Sequence, residues 1–359
     1  DITLKSTGTY GILSNKVEVV NTGNILVGDS GAAVSGAVGI YAADASITTD
    51  GDKVTIQGNG DTSSNTHPIG IYAQSSTALA VNETVDVNQG SGAMNVSGKN
   101  GIGIYIEDNA GGKIILDNDS DITLSNSATE NDRKFAIFLS NAGNTVNDTN
   151  AVITVGANNI GIYSKNSILT NSGTIDVTHT VSGTRGIGVH NVTDNGNFEF
   201  QNNGIINVTG AANIGISAAT NTGTIKLGSG TINVTTASFT GGDIPIGVYA
   251  KGNNITISSA AGNITAGANT IGTYLEGNTS SSTNGNITFN ISSNANGKIG
   301  IGAYYKEGAF ADTGIITVNS TSTALDISGD PIRPIGVFYG ENSVKNIADI
   351  VLAPGSDEA

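Results

Sequence analysis

One four-residue phrase, Ile-Gly-Ile-Tyr with close variants, recurs twelve times along the chain. Its second position advances by 25 to 34 residues from one copy to the next. A constant short segment with variable spacing is typical of a repeat protein in which one strand keeps its register while the turns vary. The copies begin near residues 10, 38, 69, 102, 135, 160, 187, 214, 246, 271, 301 and 335.

A second pattern lies between the copies and consists of Asn, Ser or Thr, then Gly, then apolar residues at alternate positions. Examples occur at 22–27, 172–177, 203–208, 222–227 and 313–318. A turn signal followed by period-2 alternation predicts a strand. With only 13% charged residues and 50 Gly, the chain has little material for helices. We therefore expect an all-β fold, a right-handed parallel β-helix (β-solenoid) of about twelve coils of roughly 30 residues, forming a single segment over 1–359.

Tyrosine occupies the fourth position of the phrase in seven copies: Tyr41, Tyr72, Tyr105, Tyr163, Tyr249, Tyr274 and Tyr304. Strict strand alternation places both isoleucines of the phrase inside, with the glycine and the tyrosine outside. The rings would then stack along the outer surface. Such a stack either stabilises the coils as an aromatic ladder or forms a stripe that contacts a ligand. The seven tyrosines are therefore the candidate binding residues.

Charge and composition exclude several classes of partner. With 15 basic and 30 acidic side chains the net charge is −15, which argues against nucleic acid or an anionic membrane surface. Because no apolar run reaches the length of a membrane-spanning helix, we expect no direct membrane insertion of this segment. Cysteine is absent, which rules out disulfides and thiolate metal sites. The chain starts at Asp1 without a signal peptide, as expected for a piece of a longer protein.

Signatures of catalysis are weak. Residues 28–31 read Gly-Asp-Ser-Gly, as around the nucleophile of trypsin-like proteases, but the first histidine is His67, whereas that family has its His and Asp upstream of the serine. Ser30 is therefore expected in a turn between strands. Asp176 and Asp243 are carboxylates of the kind that sugar-cleaving β-helix enzymes use in pairs. A polysaccharide lyase or glycoside hydrolase is thus the alternative function, although we expect no enzyme.

Metal binding is not indicated either. Asp117, Asp119 and Asp121 alternate as at the start of a calcium loop, but Ile122 and Ala128 replace the glycine and glutamate that the loop requires. An outward row of carboxylates on one strand is the expected arrangement. The histidines lie far apart in the sequence, at 67, 179 and 190. We expect no metal and no cofactor.

Longer intervals between the strand patterns are the other candidate sites, because solenoids carry function on loops that the coils hold in place. They are 58–68, 125–134, 235–245, 276–286 and 328–334. Spacer loops and binding loops are both compatible with these segments.

The Ile-Gly-Ile-Tyr repeat, with Asn-x-Gly-x-Ile-x-Val segments between copies and no cysteine, resembles the passenger regions of large type V autotransporter adhesins, particularly the fusobacterial kind. The resemblance covers residues 10–350. It implies a secreted, monomeric segment displayed on the bacterial outer membrane that attaches to host cells or other bacteria. The partner would be a host surface protein or glycan, or another bacterium. The segment would contain the binding site or serve as the stalk that presents it.

Overall fold

The computed structural model describes 1–30, 32–49, 53–61, 66–76, 83–179, 184–193, 198–210, 212–219, 222–235, 244–252, 254–259, 262–277, 282–285, 287–293, 300–306, 308–311, 315–322, 335–340, 343–346 and 349–352. These residues form two units, Asp1–Asp176 and Val177–Ala359. In each unit the chain winds as a parallel β-solenoid with three strands in a coil. The predicted all-β solenoid is therefore confirmed. One short 3-10 helix, Glu130–Asp132, interrupts the described strands.

In the first unit, each strand pairs in parallel with its counterpart one coil further on. The phrase sheet, which contains the repeated phrase, has strands Tyr10–Asn15, Val38–Ala43, Ile69–Ser75, Ile102–Asp108, Phe135–Ser140 and Ile160–Lys165. The second sheet has strands Val19–Asn21, Ile47–Thr49, Val85–Gln89, Ile114–Asn118, Asn144–Asn147 and Ile168–Asn171. The third sheet has strands Ile2–Leu4, Ile25–Val27, Lys53–Ile56, Ala93–Val96, Asp121–Leu124 and Val152–Val155. Strand Thr174–Thr178 covers the boundary between the units.

The second unit repeats the arrangement. Its phrase sheet has strands Ile187–Val192, Ile214–Ala219, Ile246–Lys251, Ile271–Glu276, Ile301–Tyr305 and Ile335–Tyr339. Its second sheet has strands Phe198–Asn202, Thr222–Leu227, Asn254–Ser259 and Ser282–Gly285, and Gly308–Ala311 pairs separately with Ser343–Asn346. Its third sheet has strands Ile205–Thr209, Thr231–Thr235, Asn263–Ala266, Ile287–Ser293, Ile315–Ser322 and Asp349–Leu352.

The core of each unit is a set of columns that run from coil to coil. Ile40, Ile71 and Ile104 occupy the third position of the phrase, pair with one another in successive coils and are fully buried. This confirms the predicted inward isoleucine column. Burying a side chain of this size contributes about 1.5–3 kcal/mol, so the repeated phrase supplies a large part of the stability of each coil.

The phrase glycine is inside, and the prediction that it shares the outer face with tyrosine is wrong. A Cβ built on Gly70 would lie 2.8 Å from Val54 Cγ1 and 3.1 Å from Ile56 Cδ1, both buried side chains of the third sheet. It would also lie 2.7 Å from the carbonyl oxygen of Gly103, the phrase glycine one coil further on. Glycine is favoured here because a side chain would be crowded between the two backbones and the third sheet.

The first residue of the phrase points outward instead. Val38, Ile69 and Ile102 form a buried cluster against which the tyrosine rings pack. The Cα register within the sheet skips the glycine in each coil, so simple period-2 alternation is interrupted at that residue. Alternation predicts orientation only within a regular strand, and the phrase begins where the chain turns a corner between sheets.

The turn between the second and third sheets has nearly constant length. Where all of its residues are described, it ranges from two residues, as at 119–120, to four at 148–151. Its predicted Asn-x-Gly signal is confirmed as a turn, because the side-chain amide of the asparagine donates to the carbonyl oxygen two residues on, at 2.7 Å for Asn21 to Gly23 and 3.2 Å for Asn171 to Gly173. Such local side-chain bonds favour turns over extended strand.

Asparagines at this turn also form a buried ladder in the first unit. Asn118 donates to Asn147, and Asn147 donates to Asn171, each through Nδ2 to Oδ1 at 2.9 Å. All three side chains are fully buried. Ladders of this kind satisfy polar groups along a stack of parallel strands. They therefore tie neighbouring coils together at the corner.

Candidate functional site

The phrase tyrosines lie partly buried on the outer side of the phrase sheet in both units. In the first unit the structure brings together Tyr41, Tyr72, Tyr105 and Tyr163, with Phe138 between the last two; we call this the first ladder. In the second unit Tyr249, Tyr274 and Tyr304 continue to Phe338, and we call this the second ladder.

Ring geometry in the first ladder alternates. Tyr41 meets Tyr72 edge to face at a centroid distance of 5.0 Å, and Tyr72 stacks on Tyr105 at 4.7 Å. Phe138 is edge-on to Tyr105 at 5.0 Å and stacks on Tyr163 at 4.5 Å. Both arrangements are favourable for aromatic pairs and add about 0.5–1.5 kcal/mol each. Stacking covers the facing sides of Tyr72 and Tyr105 and of Phe138 and Tyr163.

The residues two after each ring form a column beside the first ladder: Ala43, Gln74, Glu107, Ser140 and Lys165. Tyr41 donates its hydroxyl to Gln74 Oε1 at 2.6 Å, and Tyr72 donates to Glu107 Oε2. Burial, and then the hydrogen bond to Glu107, raises the pKa of Tyr72 well above its ordinary value. Burial likewise raises the pKa of Tyr41 and Tyr105. These phenols therefore stay protonated at neutral pH and can serve as hydrogen-bond donors rather than as bases.

The second ladder differs in geometry and in charge. Its rings are all stacked, at 5.6 Å for Tyr249 and Tyr274, 5.1 Å for Tyr274 and Tyr304, and 4.9 Å for Tyr304 and Phe338. The stack is preceded by His190 and Ser217, which occupy the same position of the phrase. Beside the rings lie Lys251, Glu276 and Lys306 in successive coils.

Glu276 joins the two lysines. Its Oε1 accepts from Lys251 Nζ at 3.1 Å and from Lys306 Nζ at 3.2 Å, and its Oε2 accepts from the Tyr249 hydroxyl at 3.4 Å. Burial alone would raise the pKa of this carboxyl, but the hydrogen bonds and charges of the two lysines outweigh burial and lower it. Glu276 is therefore ionised at neutral pH and shared between two cations.

A second polar cluster, which the sequence did not reveal, lies in the segment 125–134 at the corner before the phrase sheet. We call Ser127, Lys134 and Asn159 the corner cluster. Lys134 Nζ donates to Ser127 Oγ at 2.8 Å, and Ser127 Oγ donates to Asn159 Oδ1 at 2.6 Å. Burial lowers the pKa of Lys134 to about 8. A serine beside a lysine of lowered pKa is the pairing that some hydrolases use for nucleophilic attack.

Access decides what the corner cluster can do. Only 2% of Lys134 and 5% of Ser127 is exposed, and the Ser127 hydroxyl also lies 2.9 Å from the carbonyl oxygen of Asp132. The backbone N–H of Lys134 donates to Asn159 Oδ1 at 3.0 Å. With these contacts, the cluster fastens the segment 125–134 to the next coil and leaves no space for a substrate at Ser127. No residue spacing in the sequence predicts the cluster, because Asn159 comes from another coil.

The predicted row of carboxylates on one strand is wrong. Asp117 lies in the second-sheet strand Ile114–Asn118, Asp119 lies in the turn, and Asp121 begins the third-sheet strand. Burial raises the pKa of Asp117, followed by the charges of Asp148 and Asp119. Among the described residues no group of three or more His, Asp or Glu side chains is placed to hold a metal ion.

The remaining predicted residues do not converge. Ser30 lies exposed in a turn between strands, as predicted. His67 bonds to the Asn100 carbonyl, His179 contacts Thr184, and His190 contacts Ser217, all through Nδ1. Asp243 and the interval 328–334 lie outside the described residues, as does most of 235–245 and part of 58–68 and 276–286.

Two further findings concern membrane-spanning helices and similarity to known proteins. No helix in the described part of the chain has the length and apolar character needed to cross a membrane. No family model, curated protein or solved structure matches the chain. The described residues form a parallel β-solenoid with two outward aromatic ladders and an internally bonded corner cluster.

Proposed function

We propose that this chain is a segment of a bacterial surface adhesin that binds without catalysing a reaction. In this proposal it is displayed at the outer membrane and attaches to a host surface protein, a host glycan or another bacterium. In the second form of the proposal, the segment is a stalk that presents a binding site located elsewhere, and it binds no partner itself. The resemblance of the repeat to autotransporter passengers supports both forms.

One observation carries the proposal: the connections of ten or more residues all lie between the third sheet and the phrase sheet. Between the third sheet and the phrase sheet, the connection varies from 156–159 and 210–213 to 57–68, 125–134 and 236–245. The turn between the second and third sheets stays short throughout. Repeat scaffolds that keep coils constant and vary one set of loops use those loops for recognition.

The bonding of the scaffold supports presentation rather than catalysis. In the first ladder the Tyr41 and Tyr72 hydroxyls donate to Gln74 and Glu107, and the serine and lysine of the corner cluster are bonded to each other. Groups that are buried and satisfied in this way hold a shape. An enzyme of the β-helix type would instead need a pair of acids open to a sugar chain.

The experiment compares binding with turnover on the same preparation. The whole chain, labelled through a peptide tag at its C-terminus so that its lysines stay unmodified, is screened against glycans, host surface proteins and bacterial cells. In parallel, uronate polymers are incubated with the chain and examined for reducing ends and unsaturated products. Binding without product supports an adhesive segment, absence of both supports the stalk form, and product formation overturns the proposal.

A matched variant tests whether the corner loops carry the binding. Residues 236–245 are replaced with the four residues that occupy 210–213, which connect the same two sheets in a neighbouring coil. We expect the variant to keep its strand content and to lose a partner that the loop recognises. A partner that binds the variant unchanged must contact another surface.

A further inference from the structure

We propose that the second ladder and its lysines form a binding surface for an acidic polysaccharide. This inference rests on the proposed function and deepens it by naming the class of partner and the residues that meet it. The surface consists of Tyr249, Tyr274 and Tyr304 with Lys251 and Lys306 beside them.

Local charge is the first argument. The chain as a whole has a net charge of −15, yet here two ammonium groups share one carboxylate, that of Glu276. Counted over Lys251, Glu276 and Lys306, the column has a formal charge of one positive unit. Arg185 adds another cation close by, since its charge, like that of Lys306, acts on the Tyr249 hydroxyl. Against an acidic background, a cationic spot favours an anionic partner at this position.

Exposure is the second argument. The side chains of Lys251 and Lys306 are 57% and 46% exposed, whereas that of Glu276 is only 14% exposed. An ammonium group has three N–H donors, and the Lys251 contact with Glu276 uses one of them. The carboxylate thus lies beneath the two lysines and positions them, while the ammonium groups face the solvent where an anion would arrive.

The rings define the shape of the partner. Stacking covers both faces of Tyr274 and Tyr304 and one face of Tyr249, so the ladder presents mainly a row of ring edges and hydroxyls, one per coil. Successive coils are about 4.8 Å apart. A linear sugar chain laid along this row places apolar ring hydrogens and hydroxyls against each tyrosine in turn, with its acidic groups toward the lysines.

The first ladder provides an internal contrast. The corresponding positions beside its rings are Ala43, Gln74, Glu107, Ser140 and Lys165. This border has one glutamate and one lysine, two coils apart, so it carries no net positive charge that would attract an anion. The proposal therefore concerns the second ladder and not the tyrosine stripe in general.

The test uses the whole chain and measures affinity for four soluble probes: heparin oligosaccharides, oligogalacturonate, neutral dextran oligosaccharides and poly-glutamate. We expect the two acidic sugars to bind and dextran to bind much more weakly. Lys251→Gln and Lys306→Gln should each weaken binding roughly two- to fivefold, as expected for an exposed ion pair. Glu276→Gln should strengthen binding by a similar factor, because it removes the competing anion.

Lys226→Gln is the matched control. Lys226 pairs with Glu199 on the second sheet and is 41% exposed, but has no aromatic ladder beside it. Its loss should leave affinity unchanged. The proposal is overturned if neither acidic sugar binds, if Lys251→Gln and Lys306→Gln leave binding unchanged, or if poly-glutamate binds as tightly through the same lysines.

Failure here is distinguishable from failure of the proposed function. A chain that captures a host protein or bacterial cell, but no acidic sugar, retains its adhesive role and loses this assignment. A chain that degrades oligogalacturonate overturns the adhesin proposal itself.

Discussion

Replacement of Gly70 by alanine tests the inward position of the phrase glycine. An added Cβ would lie 2.7 Å from the Gly103 carbonyl oxygen and 2.8 Å from Val54 Cγ1, and the carbonyl belongs to a paired backbone that has little room to move. Overpacking of this kind costs about 1–3 kcal/mol. The intrinsic preference for alanine over glycine in a strand offsets about 0.5–1 kcal/mol of that cost. Taking the middle of both ranges, we expect Gly70→Ala to lower the free energy of unfolding by about 1 kcal/mol.

The sign of the effect distinguishes the two orientations. If Gly70 lay outside beside the tyrosines, an alanine there would face solvent and would stabilise the strand by about 0.5–1 kcal/mol. Urea unfolding followed by circular dichroism measures the difference as a shift in midpoint at constant slope. A variant as stable as the parent, or more stable, would refute the inward placement.

A natural counterpart provides the control. Ala136 occupies the glycine position of the phrase in one coil and is fully buried. That coil already accommodates a methyl group, so Ala136→Gly should cost about 1 kcal/mol from the added backbone entropy and the lost packing. Opposite substitutions at equivalent positions should thus both destabilise, because each coil is adjusted to its own residue.

Three further predictions concern the core, the turn and the corner. Ile104→Ala should cost about 2–5 kcal/mol in unfolding free energy, whereas Ile168→Ala, at a position that is 45% exposed, should cost under about 1 kcal/mol; a similar cost at both would contradict the column. Asn147→Leu should lower the free energy of unfolding by about 1–3 kcal/mol, because its two buried amide partners each lose a hydrogen bond. A leucine fits this corner, since Leu227 occupies the corresponding position in another coil. A more stable variant would show that the asparagine ladder contributes nothing. The pKa of Lys134 is about 8 in the folded state, against 10.5 for a free lysine. Between these two values the lysine is protonated in the unfolded chain and largely neutral in the folded chain. The free energy of unfolding should therefore rise with pH across this interval, by at most about 3 kcal/mol. Urea titrations from about pH 8 to pH 10 should show this rise in the parent and lose it in Lys134→Met, and the raised tyrosine pKa values should reverse the trend above about pH 10.

Local patterns were sufficient to predict the architecture. The phrase and its spacing predict a strand in each coil, and the Asn-x-Gly signal predicts the turn, because both depend on residues adjacent in sequence. The inward column through Ile71 and Ile104 follows, since identical strands stacked in parallel bring identical positions together. The outward position of the tyrosines was also predicted, as one ladder interrupted at His190 and Ser217, and their binding role stays a prediction.

Only the tertiary structure decided the features that depend on contacts with residues of other coils. Gly70 is inward because Val54 and the Gly103 carbonyl occupy the space around it. The Ser127 and Lys134 pair exists because Asn159 lies in the adjacent coil. A sequence determines its periodicity through near neighbours, but orientation at a corner and the bonding of a buried lysine depend on contacts between coils, which lie about 30 residues apart.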